Sequence, residues 1–247
     1  MVVRKLVLTV VADNRIVSPK LKAVWGLAIH VSIKRIDGET NLLFDTDTYP
    51  HVLEYNSRLL NIELDHLNGI VISHDHGDHT GGLSLIPSYT KGIPVYVPLK
   101  SSSRLKKKIL SLGLKLAEVE NRYMVDEDVF VIGGLERHGV SEQSLVVVID
   151  KLGLIVLVGC SHPGVVNMVR KAYEELKIKP YAVLGGFHLE WSPLGEIKHV
   201  VNALLALGVR RIGPMHCSGD GIREYLRKNY PETYLDMRTG SIVTFTA

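Results

Sequence analysis

The most constraining feature of this 247-residue chain is the run from Val71 to Gly82, VISHDHGDHTGG. Three histidines and two aspartates fall within the six residues from His74 to His79, directly after the apolar run 69–72. That run reads as a short buried strand, and Gly81 and Gly82 let the chain turn tightly out of the cluster. The charged cluster is therefore expected on a loop at a strand end, where a rigid scaffold aims it. Imidazole and carboxylate are ligands that borderline metals such as zinc take. In an extended loop His74 and His76 project the same way. Asp78 and His79 then leave the following turn, so one segment can serve two adjacent metals. A merely solvated loop accounts neither for the strand before the cluster nor for the paired glycine after it.

The second half repeats one pattern three times. An apolar run ends in glycine and reaches a histidine within four residues: at Gly159 and His162, at Gly185, Gly186 and His188, and at Gly213 and His216. Glycine lets the backbone leave a strand sharply and approach an ion closely. His162 and His216 are expected as metal ligands, so that each of two metals draws on both halves. His188 is expected either as a ligand or as a substrate-contacting, catalytic group. His30, His51, His66 and His199 default to surface or satisfied core positions. Cys160 and Cys217, the only cysteines, adjoin this pattern, which favours thiols near a metal over a disulfide staple.

The spacing of His74, His76, Asp78 and His79 resembles the His-x-His-x-Asp-His motif of the metallo-β-lactamase superfamily. The run 43–46 (LFDT) is similar to that superfamily's earlier strand-end motif, which implies that Asp45 braces the metal loop. The segments 11–14 (VADN), 159–164 (GCSHPG), 185–189 (GGFHL) and 214–219 (PMHCSG) resemble the branch of dihydropterin–ribofuranosylaminobenzene phosphate synthase-like, metal-dependent hydrolases. The resemblance implies a metallo-β-lactamase-like fold and a zinc-type dinuclear site, with manganese or iron as alternatives. It also implies a phosphorylated or pterin-like small-molecule substrate. Where most of the superfamily has Gly-Asp, with that aspartate bridging the metals, this chain has Gly159-Cys160. Cys160 either bridges as a thiolate or packs beneath the site as a buried thiol. His138 lies where many members carry a ligand, in a run that matches poorly. Thioester or lactone hydrolysis, as in the glyoxalase-II and lactonase branches, is the alternative enzyme. A metal- or pterin-binding protein is the alternative without catalysis.

Apolar runs predict strands over 5–12, 27–36, 41–44, 94–97, 129–132, 145–149, 154–158, 181–184 and 209–212. Helices are predicted from Pro50 to about Asn61, over 82–86, 104–112, 163–176, 193–207 and 222–229, with Val52, Leu53, Leu59 and Leu60 as the apolar stripe of the first. A closing hairpin is expected to pair 235–237 with 241–245. Two β-rich halves, each with helices, suit a mixed α/β (α+β) fold, a four-layer αβ/βα sandwich in one domain over 1–247.

Composition narrows function further. A net charge of +3 gives no reason to expect nucleic acid. No run approaches the roughly 18 apolar residues of a membrane helix, and the basic N-terminus runs directly into a strand-like pattern, so a cytoplasmic protein is expected. Gln143 is the sole glutamine, which hints at a thermophilic source. No nucleophile elbow or phosphate-binding P-loop is present.

Overall fold

The computed structural model describes residues 3–247; Met1 and Val2, at the start of the basic N-terminal stretch, lie outside the described residues. β1 (Lys5–Ala12), β2 (Ala28–Lys34) and β3 (Glu39–Phe44) form an antiparallel meander. β4 (Gly69–Val71), β5 (Pro94–Pro98) and β6 (Lys115–Val119) then add in parallel, and β13 (Ile242–Thr246) closes the other edge against β1. The second sheet runs from β7 (Arg122–Asp126) through β8 (Val129–Arg137), β9 (Val140–Ile149) and β10 (Gly153–Val158) to β11 (Pro180–Gly186) and β12 (Arg211–Met215). Its last three strands are parallel.

Leu8, Val31, Phe44 and Val71 of the first sheet meet Val131, Leu145, Val147 and Leu157 of the second in a dry aliphatic core. The outer faces need cover as well, because their strands are apolar on both sides. On the first sheet α1 (Pro50–Leu59) and α3 (Ser103–Ser111) supply it; on the second, α4 (Val165–Leu176), α5 (Leu194–Ala206) and α6 (Gly219–Asn229) do. α4 buries Val165, Met168, Val169 and Ala172, spaced for one helical face. The result is the four-layer αβ/βα sandwich. Among the described residues no helix is long and apolar enough to cross a membrane.

Three local expectations are corrected. Leu59 is exposed and Leu60 only half-buried, while Asn56 and Ser57 face inward. Asn56 earns burial by donating from Nδ2 to the carbonyls of Val11 and Lys22. The two edge strands β6 and β7 went unpredicted, because an edge strand with one wet face carries charged residues instead of an apolar run. The closing hairpin does not form: Leu235 N donates to Ile212 O in the second sheet, whereas β13 joins the first. The segments that read as partners cap opposite sheets.

Candidate metal centre

Parallel pairing puts the C-terminal ends of β3, β4, β10, β11 and β12 at one edge of the sandwich, where open α/β sheets bind ligands. The His74–His79 loop leaves β4. His76 caps α2 (Gly77–Thr80), a single turn that presents Asp78 and His79. The turn lies hard against the loop after β3: a Cβ on Gly81 would sit 1.8 Å from Thr48 O, and one on Gly82 2.0 Å from Thr46 O. Only glycine permits that approach.

Among the described residues the donors fall into groups whose ligand atoms lie within 4.8 Å of one another. His74, His76 and His162 form one; Asp78, His79 and His216 form another. Cys160 closes on His74 and His79, one from each group, with its Sγ 3.3 Å from His79 Nε2. Cys160, His188 and Cys217 form a further group. Both cysteines are free and buried. His138 stays apart, exposed on the β8–β9 turn beside Arg137.

Buried carboxylates aim these ligands. Asp45, fully buried, accepts from Ser73 N and Ser73 Oγ at 2.7 Å each and pairs with His79 Nδ1 at 2.6 Å. His79 Nε2 is thereby turned to the centre. Glu142, on β9 and fully buried, accepts from the backbone N–H of Cys160 and Ser161 through Oε1 and of His162 through Oε2, and its Oε2 also holds His162 Nδ1 at 2.9 Å. Asp13 Oδ1 accepts from His216 N at 2.6 Å, and Asn14 Nδ2 donates to His216 O. That clamp holds His216 at φ 48°, a left-handed conformation that costs a non-glycine residue energy. Sequence reasoning missed Glu142 altogether and met Asp13 only within the segment 11–14, with no role in the site given to it. The one available signal was a carboxylate three residues before the apolar run 145–149.

The electrostatics suit cation ligands. Burial, then the neighbouring imidazoles, drive His74 well below the usual histidine range, so its lone pair is free. Burial opposes charge on His79, but the Asp45 carboxylate outweighs it and lifts His79 to about 9, so a cation bound there would take the place of that proton. Asp78 is likewise opposed by burial, yet His216 and His79 pull it down to about 2. Hydrogen bonding from Cys160 and His188 favours the thiolate at Cys217, while Cys160 is pushed up toward the thiol. Among the described residues, neither ring nitrogen of the buried His216 has a hydrogen-bond partner, although Nε2 lies 3.3 Å from Asp78 Oδ2 outside hydrogen-bond geometry. An orphaned buried imidazole facing a carboxylate is what a cation would satisfy. The N, O and S donors therefore fit metal ions of the zinc class.

A family model described as the beta-lactamase superfamily domain matches residues 40–144. The chain is 28% identical to the 7,8-dihydropterin-6-methyl-4-(beta-D-ribofuranosyl)-aminobenzene-5'-phosphate synthase of Methanocaldococcus jannaschii, over 89% of this chain and 90% of that one. Among solved structures it is similar to Tm1679, a metal-dependent hydrolase of the beta-lactamase superfamily, with a TM-score of 0.79 and 26% identity, covering 98% of this chain and 100% of that one. The short form of human tRNase Z shares the fold, with a TM-score of 0.63 and 15% identity over 96% of this chain and 98% of that one.

Proposed function

We propose that this chain, which belongs to the metallo-β-lactamase superfamily, is a metal-dependent hydrolase or transferase that acts as one domain on a phosphorylated or pterin-like small molecule. The observation that carries the reading is the pair of donor groups, His74–His76–His162 and Asp78–His79–His216, with Cys160 reaching both. Two ions held there would activate water and polarise the oxygen of the bond under attack.

The residues divide the remaining work. Asp78, ionised across the neutral range, orients the attacking water and accepts from it. Asp45, Glu142 and Asp13 fix the imidazoles so that the centre needs no rearrangement as charge develops. His188, exposed at φ 54° with its ring 4.8 Å from that of His162, has its pKa raised by hydrogen bonding to Cys217. That raised pKa supports a role for His188 as the proton donor to the departing oxygen. Arg104 and Lys108 of α3 line a cavity of about 580 Å³ with Asp75, Gly77 and Thr80 of the metal loop, which supports a phosphorylated substrate.

The test is elemental analysis of the purified chain together with turnover of bis-p-nitrophenyl phosphate, a thioester and a lactone. The expected result is close to two transition-metal ions per chain and cleavage of the phosphodiester. No metal after reconstitution rejects the reading; cleavage of the thioester or lactone alone transfers it to those substrate classes.

A further inference from the structure

The chain's two tryptophans, Trp25 and Trp191, take no part in the chemistry above, yet both line one cavity of about 370 Å³ at the metal centre. Trp25 rests against His216, ring centroids 4.9 Å apart and planes tilted by 50°, and is still 47% exposed. Trp191 is 92% exposed. Its segment is fastened to the ligand turn after β12, because Leu189 N and Glu190 N both donate to Cys217 O. Two large aromatic faces are thus left in water on supports tied to the centre itself.

The rest of the cavity specifies a partner for those faces. Buried Cys217 and exposed His188, both beside the centre, line it together with the exposed Glu190 and Glu196, and among the described residues neither lysine nor arginine does. Aromatic faces bind flat rings by offset stacking. A carboxylate accepts paired N–H donors from a planar edge and repels an anion or a ring with no donors. The cavity at Arg104 and Lys108 has the opposite charge.

We propose that Trp25 and Trp191 bind the flat, nitrogen-rich ring of the substrate, with Glu190 and Glu196 reading its amino and ring N–H edge. The site holds the ring on the His216 side of the centre. The assignment rests on the hydrolase reading only for the use to which the bound ring is put; ring binding itself requires no metal.

The experiment is calorimetric titration of the full chain, metal-free and metal-loaded, with 6-methylpterin and with 2-naphthoate, a flat bicycle that is anionic and has no N–H donor. Saturable 6-methylpterin binding is expected in both forms, with 2-naphthoate weaker by roughly tenfold. Trp25→Leu and Trp191→Leu should each weaken the pterin by roughly tenfold with an unchanged circular dichroism spectrum. The double variant Glu190→Gln/Glu196→Gln should close the gap between the two rings. No saturable binding overturns the proposal, as does unchanged affinity in both tryptophan variants. Trp191 emission that follows protein concentration and dimer formation, and ignores the pterin, also overturns it and makes that face a contact between copies. Ring binding without metal or turnover sinks the hydrolase reading alone; turnover of bis-p-nitrophenyl phosphate without ring binding sinks this site alone.

Discussion

The two halves of the sandwich bring candidate metal ligands to the same edge by different means. The first half supplies the candidate ligands His74, His76, Asp78 and His79 from one loop and one helical turn, braced by Asp45 on the loop after β3. The second half supplies His162, His188 and His216 singly, one after each of three parallel strands. Two of these candidate ligands each have their own carboxylate: Glu142, 20 residues from His162, and Asp13, 203 residues from His216. A contiguous loop gets much of its geometry from local backbone. Scattered ligands get theirs from tertiary structure, so buried charge must be spent on orienting them.

Neither donor group belongs to one half, and the largest expected effect follows from that. His76→Ala and His162→Ala should each lose the same ion, and Asp78→Ala and His216→Ala the other. All four should abolish hydrolysis while the far-ultraviolet circular dichroism spectrum stays unchanged, because the positions lie on loops and strand ends. Elemental analysis should find about one ion per chain in each, from two in the parent. Retained activity in both His76→Ala and Asp78→Ala would place the chemistry elsewhere.

The bracing carboxylates sharpen the comparison. Glu142→Gln sets an amide NH₂ against groups that now donate to Glu142, so it should weaken the ion of the His162 group by roughly 10–100-fold. Asp45→Asn should act to a similar degree on the His79 group. Chelator competition, followed ion by ion, separates the two. Equal weakening of both ions by either variant would show that the groups are not held independently.

The same contrast explains what the sequence disclosed. The loop from His74 to His79 was legible because its chemistry is contiguous, and the strand-end histidines because each follows an apolar run and glycine. Glu142 was not legible. A carboxylate in a β-strand usually marks a solvent face, and only the packing of β4 and β5 across β9 reveals otherwise. There Gln143 Nε2 donates to the carbonyls of Ile72 and Tyr96, and Ser73 O accepts from Gln143 N. Leu235 misled for a related reason: local pattern suggested a hairpin, while its bonding partner was Ile212, more than twenty residues back in the other sheet.

The smallest expected effect separates two aspartates on one loop. Asp45 and Asp47 are both fully buried and both have positive φ. Asp45 has both oxygens bonded. Asp47 accepts from Thr48 N through Oδ1, at 2.6 Å, and among the described residues its Oδ2 has no hydrogen-bond partner. Burial, only partly offset by the backbone N–H groups of Thr48 and Tyr49, raises Asp47 to about 7. A carboxyl whose pKa rises on folding stabilises the fold below its unfolded value, near 3.8, and that contribution disappears as pH rises through about 7. The difference converts to at most about 4 kcal/mol. Asp47→Asn keeps the shape and tolerates φ 64°, and it removes this dependence. In metal-free protein, urea unfolding should therefore show the Asn variant gaining on the parent between pH 5 and pH 8 by a few kcal/mol at most. Ions bound at His216 and His79, which already favour the Asp47 carboxylate, should shrink that gain. A gap between the two proteins that stays constant over the whole range would mean that Asp47 is ionised at no cost, and that Asp45 and Asp47 are equally well bonded.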